Sequence, residues 1–174
     1  MRSRWGAIIG AALASLLLLQ ACSAPGVPAP GASSVATSAS ASASAFVGST
    51  LDGASFDSAS VRGKPVVLWF WAPWCTICRI ESATITAVEE EFRGEVTMIG
   101  VAGRGTVDEM KRFVSETDTG RLLHLSDTSG AVWQQFGIVA QPAYVFMSPD
   151  GTVQTVVGAL GGKELRKRMT ELQG

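Results

Sequence analysis

Cys75 and Cys78 are the residues of this chain best suited to chemistry. Two thiols three positions apart at the start of a helix share one turn, within reach of a disulfide. Their segment, Trp74-Cys75-Thr76-Ile77-Cys78, follows the apolar run Val66–Trp71 and opens a stretch of helical character. With Cys75 as the first helical residue, the unpaired backbone N–H groups of the helix start favour a thiolate on its sulfur. A thiolate is the species that attacks disulfides, so the spacing points to redox exchange. Two other uses of a cysteine pair fit less well. A disulfide between neighbouring turns closes too short a loop to stabilise much. Zinc ordinarily takes a second pair of ligands, and the only other cysteine is Cys22.

Such a pair needs a strand to deliver it and a helix to hold it. Val66–Trp71 is apolar without alternation, which predicts a strand buried on both faces. The helix is expected from Cys75 to about Phe92, with Ile77, Ile80, Ile85, Val88 and Phe92 as its apolar stripe. Ahead of the strand, residues 46–56 read as a short strand or hairpin turning at Asp52-Gly53. Arg62-Gly63-Lys64-Pro65 then breaks the chain. Beyond the helix, the pattern predicts a strand over 95–101 and a helix over 106–117. Thr106 caps that helix, with Glu109 completing a capping box. A short strand over 122–125 and a short helix over 129–136 follow. A hairpin over 143–147 and 153–157 turns at Ser148-Pro149-Asp150-Gly151. Gly161-Gly162 precedes an amphipathic helix over 163–172. Strands alternating with helices and ending in a hairpin argue for an α/β domain with a mixed sheet.

The 174 residues suit one such domain. With 14 Lys+Arg against 15 Asp+Glu, no basic excess suggests nucleic acid. Arg2 and Arg4 precede an uncharged apolar core over 7–19, shorter than the ~20 residues of a membrane span, and so read as an export signal. Leu19-Gln20-Ala21-Cys22 resembles a bacterial lipobox, with Gln20 where a small residue is usual. The resemblance implies cleavage before Cys22 and lipidation of its thiol and amine, which would anchor the protein to a membrane. Without lipidation the segment is a cleaved secretory signal. Either reading puts the mature protein outside the cytoplasm, where disulfide exchange is productive. Residues 23–45 are nearly all Ala, Ser, Gly, Pro and Thr, a composition that cannot bury a core and reads as a flexible tether. The expected organisation is a signal peptide over 1–21, a lipidated cysteine and disordered linker over 22–45, and a folded domain over 46–174.

Trp71-Ala72-Pro73-Trp74-Cys75-Thr76-Ile77-Cys78 resembles the active site of thioredoxin-fold proteins. Gln141-Pro142, ahead of a strand and a Pro-Asp-Gly hairpin, resembles that fold's cis-proline loop. The likeness covers the whole expected domain. Within the superfamily the chain is similar to the exported TlpA/DsbE-like branch, and its lipobox-like start and Val139-Ala140-Gln141-Pro142-Ala143 stretch are similar to the DsbE and DsbF proteins of mycobacteria. The resemblance implies a thioredoxin fold, a central mixed β-sheet flanked by helices, here with an N-terminal strand or hairpin extension. It implies Cys75 as the accessible nucleophile, with Trp74 beside it, and Cys78 as the more buried resolving thiol. Pro142 would be cis, packing against the disulfide, and the loop with Gln141 would pair with the substrate chain in strand-like fashion. Glu81, three residues after Cys78 on the same helix face, matches a glutamate that assists proton movement near the buried thiol. A carboxyl desolvated there would have a raised pKa and could act as a general base. Thioredoxins themselves use a buried aspartate in the preceding strand, where this chain has Trp69.

The leading expectation is an exported, membrane-tethered thiol–disulfide oxidase acting on reduced or misoxidised exported proteins. It would need no cofactor and would be reoxidised by a membrane partner of the quinone-linked VKOR type. A reductase of the TlpA/ResA kind, acting on apocytochrome c and fed by a CcdA-type donor, fits the same motifs. The third alternative is a non-enzymatic metal-binding or copper-binding lipoprotein. SCO-type copper proteins use two cysteines and a distant histidine, and His124 is the single histidine here. Their cysteines, however, are separated by three residues rather than two, and no metal site is expected.

Overall fold

The computed structural model describes residues 45–174. The signal segment, Cys22 and the tether through residue 44 lie outside the described residues. A hairpin comes first: β1 (Val47–Ser49) and β2 (Ser55–Asp57) pair antiparallel. They turn at Asp52-Gly53, where Gly53 takes a φ of +84°. A 3₁₀ turn, Ser58–Val61, is capped by the Asp57 side chain and has no counterpart in the sequence reading. Then follow β3 (Val66–Trp71), α1 (Thr76–Glu91), β4 (Thr97–Gly103), α2 (Val107–Glu116), β5 (Leu123–Asp127) and α3 (Ala131–Gln135). The chain ends with β6 (Ala143–Met147), β7 (Val153–Val157) and α4 (Gly162–Glu171). The five later strands form one mixed sheet in the order β5-β4-β3-β6-β7. β3, β4 and β5 run parallel, and β6 and β7 antiparallel to their neighbours. This is the expected α/β thioredoxin fold with its N-terminal hairpin.

The strand predicted to be covered on both faces is so covered: all six residues of β3 are buried. Val67, Trp69 and Trp71 point to one side, packing with Ile85 and Val88 of α1, Met110 and Phe113 of α2, and Leu165 and Met169 of α4. Val66, Leu68 and Phe70 point to the other, against Val132 and Trp133 of α3 and against Phe46 and Phe56 around the hairpin. The capping box of α2 is formed as expected, by Thr106 and Glu109. The β6–β7 hairpin has the expected bounds. β4 starts two residues later than expected because Glu95 and Val96 are held in a turn by the Phe92 carbonyl.

The hairpin also covers an edge of the main sheet. Leu51 N–H donates to the His124 carbonyl at 3.0 Å, and Thr50 bridges Leu125. The first described residues, Ala45 and Phe46, lie with Val66 and Met147 around a cavity of about 350 Å³. Val66 and Met147 are register partners at the start of β3, so the described chain begins beside the end of the sheet opposite Trp71.

Gly100, in the middle of β4, is required by its neighbours. A Cβ there would run into the His124 ring and the Trp71 indole. Gly100→Ala is expected to destabilise the protein by about 1–3 kcal/mol, the usual cost of overpacking a core. Gly48→Ala, whose Cβ would meet only Leu125 at an ordinary 3.9 Å, is the control. Urea unfolding midpoints of the two variants should separate clearly.

Candidate active site

β3 ends at Trp71, and the chain turns through Ala72-Pro73-Trp74, closed by the Cys75 N–H on the Ala72 carbonyl at 3.0 Å. Cys75 is not the first residue of α1, as expected, but its N-cap, with an extended backbone. Its Sγ does what a serine or aspartate oxygen does at such a position and accepts the Cys78 N–H at 3.1 Å. An amide aimed at the sulfur favours negative charge there more directly than a helix dipole acting at a distance. The two cysteines are joined as a disulfide with their Cα atoms 5.3 Å apart. Cys78 is fully buried, whereas Cys75 keeps 6% of its surface. The expected accessibility of the Cys75 sulfur is thus limited to an edge, and Trp74 beside it is the exposed residue, at 60%.

The expected apolar stripe of α1 is corrected by the structure. Ile77 and Ile80 face solvent. The inward face is Cys78, Glu81, Ser82, Ile85 and Val88. The helix must turn this way for Cys78 to reach Cys75 and remain covered, and Glu81 turns inward with it. Glu81 Oε1 accepts the Trp69 indole N–H at 2.8 Å. Its other oxygen and the Tyr144 hydroxyl are both buried without a formed hydrogen bond. They are nonetheless close enough to affect each other's ionisation. Burial pushes the Glu81 carboxyl up to about 7, against smaller opposing effects from Trp69, Tyr144 and the Leu160 backbone. Burial, and then the Glu81 charge, raise the Tyr144 phenol above its ordinary range. Glu81 thus carries the raised pKa that a desolvated carboxyl at this position was expected to have.

The Gln141–Pro142 peptide bond is cis. Its loop is tied to the end of β4 by Arg104, a residue that the motif reading passed over. Arg104 Nη1 donates to Gln141 Oε1 at 3.2 Å and Nη2 to the Val139 carbonyl at 2.7 Å. The guanidinium stacks over Trp133, 4.8 Å from the ring centre. The Arg104 carbonyl accepts the Trp74 indole N–H at 2.8 Å. Its sequence signal is positional: Gly103-Arg104-Gly105 follows a parallel strand, at the carboxyl end where open α/β sheets place their sites. Trp74, Ile77, Ile80 and Val139, on the disulfide segment, α1 and the cis-proline loop, are all exposed and give this end of the domain an apolar rim of separate side chains.

His124 is a core residue. Its Nδ1 accepts the Trp71 indole N–H at 3.3 Å, so its Nε2 carries the hydrogen given to the Thr119 carbonyl at 3.0 Å. Burial lowers its pKa to about 4, and the ring is neutral at pH 7. Both ring nitrogens are engaged, which leaves no lone pair on this tautomer for copper.

The sequence profile of the AhpC/TSA family matches residues 39–156. The soluble secreted antigen MPT53 of Mycobacterium tuberculosis is 37% identical over 116 residues, which span 65% of this chain and 66% of the antigen. The structure of DsbF from M. tuberculosis is 44% identical and superposes with a TM-score of 0.71, covering 73% of this chain and 94% of that one. A secreted M. tuberculosis disulfide oxidoreductase homologous to Escherichia coli DsbE is 39% identical, with a TM-score of 0.68 over 72% of this chain and 95% of its own. The chain belongs to the AhpC/TSA family, among its thioredoxin-fold thiol–disulfide oxidoreductases.

Proposed function

We propose that the protein is an exported, membrane-tethered oxidase that introduces disulfides into exported proteins. The observation that carries this reading is the Cys75–Cys78 disulfide at the helix N-cap, with a buried carboxyl on one side and an exposed apolar rim on the other. The rim suits unfolded clients, which expose apolar side chains next to their cysteines. Likeness to secreted mycobacterial relatives, the signal-like residues 1–21 and the lipobox-like Cys22 support the location.

In this scheme a client thiolate attacks Cys75 Sγ. The Cys75–Cys78 bond breaks, a client–Cys75 bond forms, and Cys78 leaves as a thiolate. Glu81, with its pKa near neutrality, supplies the proton that Cys78 needs. A second client thiolate then attacks the client sulfur of the mixed disulfide and releases Cys75. The client gains a disulfide, and its two electrons remain on the Cys75–Cys78 dithiol until a membrane reoxidase of the VKOR type removes them. Gln141 and the cis Pro142 offer the client backbone a platform, and Trp74 forms the facing wall.

The same parts run in reverse in a reductase of the TlpA/ResA kind fed by a CcdA-type donor, and the reduction potential separates the two. Equilibration with a glutathione buffer should give a value of about −180 to −120 mV; a value near −270 mV, that of thioredoxin, would overturn the oxidase reading. Cys78→Ser should trap exported client proteins as mixed disulfides through Cys75, and Cys75→Ser should trap none. Recovery of cytochrome-maturation proteins alone would favour the reductase.

The Glu81 pKa makes a separate prediction for the oxidised protein. Its folded pKa, about 7, lies above the ordinary value of 4.5. The folded state therefore binds this proton more tightly than the unfolded state does. The resulting stabilisation is complete below pH 4.5 and is lost as pH rises through 7. A shift of this size corresponds to roughly 3 kcal/mol. Glu81→Gln should therefore gain stability over the parent protein between pH 5 and pH 8, by urea unfolding at each. His124 titrates alike in both proteins and drops out of the difference. A pH-independent difference would show that Glu81 is ionised throughout.

A further inference from the structure

We infer that Arg104 determines client specificity, holding both walls of the client groove and selecting client segments with a carboxylate beside the reacting cysteine. The inference rests on the exchange chemistry proposed above. One wall is Trp74, whose indole N–H is fixed by the Arg104 carbonyl. The other is the cis-proline loop, where Arg104 binds the Gln141 side chain and the Val139 carbonyl. Arg104 thus reaches a neighbour of Cys75 on one side and a neighbour of Pro142 on the other.

Its charge is uncompensated, unlike those of its surroundings. Arg79, on α1 beyond Cys78, pairs with Glu116 at 2.9 Å. The Glu109 carboxylate is engaged by the backbone and hydroxyl of Thr106. Arg104 meets no carboxylate among the described residues; its partners are neutral oxygens and the Trp133 ring. A guanidinium has five N–H donors, and the two hydrogen bonds to Gln141 and Val139 use two of them. The group is exposed, so the remaining donors can meet a carboxylate arriving with a client, with the geometry that suits arginine to this partner. The apolar rim is indifferent to charge, and Arg104 supplies the preference that the rim lacks.

The test uses the oxidised full chain and two dithiol peptides that differ only in Glu or Lys next to the first cysteine. Each rate is divided by that peptide's rate with the uncharged 2-hydroxyethyl disulfide, which removes the effect of the substitution on thiol reactivity. The corrected rate should favour the Glu peptide by about three- to five-fold at low salt, the effect of one rim charge. The ratio should shrink toward one as salt is raised. Arg104→Gln should bring the ratio near one at all salt concentrations with the Cys75–Cys78 potential unchanged. Arg104→Lys should keep the salt-dependent preference and raise KM, because the charge and the backbone bond to Trp74 remain while the guanidinium's grip on the cis-proline loop is lost. A parent protein without preference, which needs no variant to observe, overturns the inference, as does an Arg104→Gln variant that retains the parent ratio. Absence of exchange with both peptides would overturn the exchange reading itself, whereas equal exchange with both would overturn only the role of Arg104.

Discussion

A strand covered on both faces cannot leave a polar hydrogen unpaired, and β3 carries two of them on adjacent inward positions, the indole N–H groups of Trp69 and Trp71. Burying either without a partner would cost on the order of 1–3 kcal/mol. The acceptors are Glu81 of α1 and His124 of β5, both on the face toward which the indoles point. Both arrangements propagate. Glu81 turned inward fixes the rotation of α1, which also carries Cys78 inward and leaves Ile77 and Ile80 outside. His124 turned inward draws β5 against Trp71 and leaves room at Gly100 for nothing larger than hydrogen. The strand that delivers the cysteines thereby dictates which groups lie beneath them.

Those two acceptors have opposite electrical consequences. Burial holds His124 neutral at every pH near physiological, so it serves as a fixed dipole between Trp71 and the Thr119 carbonyl. Burial raises the Glu81 carboxyl to about 7 instead, so that it can change protonation near neutral pH. One indole is thus satisfied by a neutral partner and the other by a carboxyl with a raised pKa. Across the disulfide, the Arg104 guanidinium is exposed and meets no carboxylate among the described residues. The ionisable carboxyl and the exposed cation lie on separate sides of the disulfide, with the packed core between them.

Most of the frame was legible in the sequence because the local signals were strong. Unbroken apolar residues marked β3, Thr106 and Glu109 marked the start of α2, and Pro149-Asp150-Gly151 marked the last hairpin. The face of α1 was misread for a physical reason. Hydrophobicity counting favours Ile77 and Ile80 over Glu81 and Ser82, whereas the rotation is settled by a disulfide and an indole hydrogen bond that no periodicity contains. Cys75 was placed one position too far into the helix, because a sulfur acting as N-cap has no compositional signature. Arg104 carries no local signal because its partners lie 29 to 37 residues away in sequence. Gln141, Pro142 and Glu81 were legible only through likeness to a family, since no local pattern marks a cis bond or a buried acid.

The position of Ala45 and Phe46 puts the start of the described chain and the disulfide at opposite ends of β3. They lie at the start of β3, and the disulfide follows its finish, six residues on, a separation of about 20 Å along the strand. An anchor at Cys22, as proposed above, would therefore join the domain at the end of the sheet away from the disulfide. The direction in which the chain enters the fold thus sets the direction in which the chemistry points.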